Sequence, residues 1–124
     1  MVKIVSIGIR KVQLIQSNIS NGLDFYFKVN DVEMYMKGAN LVPLDYYPDR
    51  MKSDEELEWI FLSAKEANFN IIRVWGGGMY MNDNFYNLAD KHGMLIWQDM
   101  MFSCRFYPFM EDSFVESSKI EVRE

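Results

Sequence analysis

A chain of 124 residues, 49% hydrophobic and 25% charged, suffices for one small folded domain or part of a larger one, and is too apolar for a disordered segment. Its net charge of −5 argues against a nucleic-acid surface or an anionic membrane as partner. One cysteine and one histidine exclude an internal disulfide and leave no set of metal ligands, so neither a metal nor another cofactor is expected. No apolar run reaches membrane-spanning length, and no sustained apolar stretch after Lys3 marks a signal peptide.

In chain order, Met1 to Gln16 alternates in the manner of strands, and Ser17 to Gly22 reads as a polar turn. Asn18-Ile19-Ser20 is a glycosylation sequon, usable only in a secreted chain. Phe25–Phe27 and Glu33–Met36 are two short predicted strands joined at Asn30-Asp31 as a hairpin. The rhythm then changes. Ser53 and Glu56 form a capping box, followed at helical spacing by Leu57, Ile60, Phe61, Ala64 and Ala67. Asn70 to Val74 is short, β-branched and apolar around Arg73, the pattern of a strand buried on both faces. It ends in Gly76, Gly77 and Gly78, whose backbone is free to take positive φ.

Asn82 caps a second predicted helix that Gly93 stops, with His92 placed to cap its last carbonyls. Met94–Trp97 is another buried strand, ending in Gln98-Asp99. Cys104, flanked by Phe102 and Phe106, reads as a small buried residue. A third helix begins near Asp112 with Phe114, Val115 and Val122 apolar. Strands alternating with helices imply a parallel sheet. If Met36–Ala39 is the first of them, the strands start about 24 to 34 residues apart, near the repeat of a (β/α)8, or TIM, barrel. Three units do not close a barrel, so the chain reads as truncated. A complete doubly wound domain is the alternative, but neither G-x-G-x-x-G nor a phosphate-cradling loop is present. Arg73 and Trp75 stand at the C-terminal end of their strand, where parallel α/β folds bind ligands.

Three strings, Lys37-Gly38-Ala39-Asn40, Arg73-Val74-Trp75-Gly76-Gly77-Gly78 and Trp97-Gln98-Asp99-Met100-Met101-Phe102, occur in this order and spacing. Together with Phe85-Tyr86 and Tyr107-Pro108, they closely resemble the β-mannosidases of glycoside hydrolase family two over roughly residues 25 to 120. The resemblance implies that residues 1–20 hold the C-terminal strand of an immunoglobulin-like β-sandwich. It implies that residues 21–124 are the N-terminal part of the catalytic barrel, its first three β/α units. One departure is Leu41, where the family usually has tryptophan.

The implied activity is retaining exo-hydrolysis of terminal β-D-mannose from β-mannosides and glycoprotein oligosaccharides, and animal relatives are lysosomal. Such enzymes need two carboxyl groups about 5–5.5 Å apart, and the resemblance places both on later strands beyond Glu124. No catalytic residue is expected here, although Asp45 and Asp99 invite comparison as a substitute pair. By resemblance, Arg73 would orient the nucleophile carboxylate, while Trp75, Asp99 and Asn40 would bind substrate. Plainer roles stand beside these: an ion pair with a helix carboxylate for Arg73, rim packing for Trp75, and loop caps for Asp99 and Asn40. Two other functions remain open: a family-two galactosidase or glucuronidase, and an inactive carbohydrate-binding remnant.

Overall fold

The computed structural model describes residues 7–45, 47, 50 and 53–123, in two compact units that divide between Met36 and Lys37. In the first unit, β1 (Val12–Ile15), β4 (Tyr26–Val29) and β5 (Val32–Met34) form an antiparallel sheet in that order. β2 (Asn18–Ile19) and β3 (Gly22–Leu23) form a separate two-stranded hairpin where the Ser17–Gly22 turn is expected, reaching one residue beyond it. The β4–β5 hairpin closes at the anticipated dipeptide, with Asn30 at φ 51° and Asp31 at φ 64°. Two successive positive φ values match the right-handed twist of hairpin strands. Lys11 clamps the turn: its amide donates to Asn30 Oδ1 (3.0 Å) and its ammonium to Asp31 Oδ1 (2.7 Å).

The long strand expected over Met1–Gln16 is shorter. Residues 1–6 lie outside the described residues, 7–11 are irregular, and β1 starts at Val12. Pairing of β1 with β4 carries one sheet across residue 20, so residues on both sides of that boundary share a unit.

The second unit alternates β6 (Gly38–Leu41), α1 (Asp54–Glu66), β7 (Ile71–Val74), α2 (Asp83–His92), β8 (Leu95–Gln98) and α3 (Asp112–Glu121). The three strands are parallel in the order β6-β7-β8, each beside its successor in sequence. Both early helices start as their sequences dictate: Ser53 and Glu56 cap each other's amides, and the Asn82 side chain accepts from the Phe85 amide (3.0 Å). Gly93 ends α2 in the left-handed conformation at φ 67°, where a Cβ would be strained.

Leu57, Phe61 and Ala64 of α1 and Phe85, Leu88 and Ala89 of α2 enclose Ile72, Val74 and Met94. This core covers one sheet face only. Ile72 and Val74 are buried, whereas Ile71 and Arg73 between them are half-buried, so β7 is not covered on both faces as its apolar run suggests. Strand periodicity sends alternate side chains to opposite faces, and the core helices pack against one of them. α3 buries no residue fully; Phe114 and Val115 are half-buried, and Val122 is exposed.

Two smaller expectations change as well. Cys104 is exposed at φ 55°, because the β8–α3 loop packs Phe102 inward against Tyr107, Phe109 and Phe114 and turns the cysteine out. His92 lies over Phe61 in a stacked arrangement (6.0 Å), with Nε2 3.3 Å from Glu58 Oε1, and so links α2 to α1.

Candidate functional site

The sheet register aligns Asn40 of β6, Arg73 of β7 and Trp97 of β8 in one row. The row shares the face of Arg73, opposite Ile72 and Val74, which pack into the helix-covered core. Asp99 follows β8 by one residue. Arg73 Nε donates to Asp99 Oδ1 (3.0 Å) and Nη2 to Oδ2, the two-pronged geometry in which guanidinium and carboxylate match best. Arg73 Nη1 donates to Asn40 Oδ1 (3.0 Å), and the Gly76 amide to Asp99 Oδ2 (3.1 Å). Three of the four sequence-chosen residues therefore form one network.

The anion facing Arg73 is Asp99, a strand-end carboxylate of this chain, instead of a helix carboxylate. The Arg73 guanidinium holds the Asp99 carboxyl below the usual carboxylate range; partial burial opposes this, and the Gly76 amide adds to it. A carboxylate so stabilised is a poor proton donor, so in a substitute pair with Asp45 it would be the ionised partner and not the acid. The backbone of Asp99 is also anchored. Gln98 Nε2 donates to its carbonyl (2.8 Å), and Tyr86 of α2 donates to Gln98 Oε1 (2.6 Å). Burial raises the Tyr86 phenol above its ordinary pKa, keeping it a donor. No periodicity signals this relay, because it needs α2 seated against β8; the sequence hints are only that Phe85-Tyr86 and Gln98-Asp99 sit in strings quoted above.

Trp75 occupies a neighbouring but different place. Its amide donates to the Leu41 carbonyl (3.1 Å), and its side chain lines a cavity of about 380 Å³ at the C-terminal ends of β6 and β7. Val42, Pro43, Leu44 and Asp45 line the cavity from the β6–α1 loop, and Gly78 and Met79 from the β7–α2 loop. The three glycines serve close approach. None has positive φ. A Cβ on Gly76 would overlap the Met100 carbonyl, one on Gly77 would overlap the Trp75 indole, and one on Gly78 would crowd Pro43. The indole thus folds back over its own loop. Leu41, at the position of the departure noted above, pairs with Val74 and packs toward the helix-side core. Among the described residues no group of three or more His, Cys, Asp and Glu side chains is arranged to hold a metal, and no helix is long and apolar enough to cross a membrane.

No protein-family model matches the chain. Over 122 residues, 97% of its length, it is 45% identical to β-mannosidase of Capra hircus. It is 39% identical over 126 residues to a probable β-mannosidase of Caenorhabditis elegans. Among solved structures, a β-D-mannosidase from Dictyoglomus thermophilum superimposes on 92% of the chain with a TM-score of 0.86 at 43% identity. In each case the chain spans 14% of the relative's length. By sequence and by fold alike, the chain is a homologue of the β-mannosidases, corresponding to about one seventh of their length.

Proposed function

We propose that this chain is the part of a β-mannosidase that supplies the first three β/α units of a (β/α)8 barrel, with residues 37–124 as that part. The expected boundary of a preceding immunoglobulin-like sandwich at residue 20 falls inside the sheet that joins β1 to β4 and β5, which favours a boundary earlier in the chain. The parent reaction is retaining hydrolysis of terminal, non-reducing β-mannosyl residues from mannosides and glycoprotein oligosaccharides, in the lysosome where the parent is an animal enzyme. The observation that carries this reading is the Asn40–Arg73–Asp99 network at the C-terminal strand ends, in a segment 45% identical to the goat enzyme.

In this reading Arg73 fixes the electrostatics of the barrel mouth. Held between Asp99 and Asn40, it presents its guanidinium toward the catalytic nucleophile, keeping that carboxylate ionised and oriented. Trp75 offers an apolar wall to a pyranose, and Asn40 and Asp99 complete the polar side. Both catalytic carboxylates come from later barrel strands.

The test has two arms. The 124-residue chain alone should not hydrolyse a chromogenic β-mannoside at high protein concentration, whereas the longer protein carrying this segment should. Turnover by the short chain that disappears in Asp45→Asn or Asp99→Asn would place the catalytic pair here and refute the assignment. Preference of the longer protein for a β-galactoside or β-glucuronide would refute the substrate.

A further inference from the structure

Resting on that reading, we propose that Asp45 is a substrate-positioning residue, the hydrogen-bond acceptor of a pyranose subsite whose opposite wall is Trp75. The cavity between the two loops, about 380 Å³, falls in the range of roughly 300–1,000 Å³ in which small ligands bind. Its walls are apolar: Pro43, Leu44, Met79 and the indole. Asp45 is the one ionisable side chain among the described residues that line it. A hydroxylated ring suits this division. Its C–H face meets an aromatic wall, and its hydroxyls donate to a carboxylate, which has about four acceptor sites. No basic side chain is among the described residues that line the cavity.

The two strand-end carboxylates divide the work. Asp99 spends three acceptor sites on Arg73 and the Gly76 amide, and so acts on substrate mainly by fixing Arg73. Asp45 spends Oδ1 on the Tyr47 amide (2.9 Å), a local turn that holds the carboxylate in place at the cavity. Asp45, from a different loop, adds a second carboxylate contact to substrate beside the one proposed for Asp99.

The test is Asp45→Asn in the longer protein that carries this segment, or in goat β-mannosidase with this chain in place of its matching 122 residues. Asparagine keeps the Oδ1 acceptor for the Tyr47 amide, so the turn survives. KM for an aryl β-mannoside and the inhibition constant of free mannose should both rise about tenfold, with kcat within about threefold and the unfolding midpoint unchanged. Asp99→Asn should instead lower kcat. A double change with Trp75→Ala should raise the mannose inhibition constant by less than the product of the single changes, because both act on one ring. An active enzyme whose KM and mannose inhibition ignore Asp45→Asn would overturn the proposal and leave the β-mannosidase reading standing. If the unsubstituted protein, folded by circular dichroism, neither hydrolyses β-mannosides nor binds mannose, the reading falls and takes this proposal with it. Should Asp45→Asn not fold, Asp45→Glu, which retains the charge one methylene further out, provides the same readout.

Discussion

The two units of the chain reach order by different means. Residues 7–36 form paired strands without a single buried side chain among those described. What holds them is the β ladder, the Lys11 clamp on the Asn30-Asp31 turn, and surface pairs such as Lys28–Glu33 (3.0 Å). Residues 37–123 have a true core, with Phe61 and Phe85 fully inaccessible and 5.0 Å apart, but only on one side of their sheet. The helix-covered face carries stability. The other carries Asn40, Arg73 and Trp97, and with them the polar network around Asp99. One register thus divides the packed core from the polar network, strand residue by strand residue.

The comparison is sharpest at the core. Phe61→Ala should cost about 3–5 kcal/mol, most of a small unit's stability, whereas Leu14→Ala on β1 should cost less than about 1 kcal/mol. Denaturant unfolding followed by far-ultraviolet circular dichroism measures both; equal costs would show that the β unit has an apolar core after all. The bare face predicts a second outcome. The chain expressed alone should self-associate in sedimentation velocity, since exposed strand edges and apolar surface template further pairing. A monomer with sharp cooperative unfolding would contradict this.

Trp75 tests the division of labour between the faces. In the longer protein, Trp75→Ala should lower kcat/KM by roughly ten- to a hundred-fold, on the order of 1–3 kcal/mol, with a smaller shift in unfolding temperature than Phe61→Ala. Activity per folded molecule that holds while the protein melts would make Trp75 packing alone. Gly77→Ala should act in the same direction, by displacing the indole that lies over it.

The smallest effect is the pH dependence of the Arg73–Asp99 pair. Because the folded-state pKa of Asp99 is lowered, the pair's contribution is fully present above the unfolded carboxylate pKa of about 3.9. It is lost as pH falls through the lowered folded value. Arg73 is 40% exposed, so solvent screening keeps the contribution modest. Unfolding midpoints of the native chain and Asp99→Asn should differ near neutrality and converge in acid. A difference that persists unchanged below that range would assign the stabilisation to something other than ionisation.

Local signals, which depend on neighbours a few residues apart, were legible without a structure. Ser53 and Glu56, Asn82, Gly93 and the Asn30-Asp31 turn each act within four residues of backbone, and each appears where the sequence puts it. The Asn40, Arg73, Trp75 and Asp99 site was named through the family strings, and three of those residues do meet.

Anything that depends on which elements pack together had to await the tertiary fold. The apolar run of β7 reads the same whether one face is covered or two, and only the placement of α1 and α2 decides it. Glycines read as freedom for positive φ serve instead to admit Met100, the Trp75 indole and Pro43, neighbours that lie in another loop or come from a ring folding back. Arg73 needs an anion by charge alone, but choosing Asp99, 26 residues away, required β8 to lie beside β7. Sequence spacing sets the period and ends of elements, because those are properties of one stretch of backbone. Partners across the sheet are set by the register between strands, which no single stretch contains.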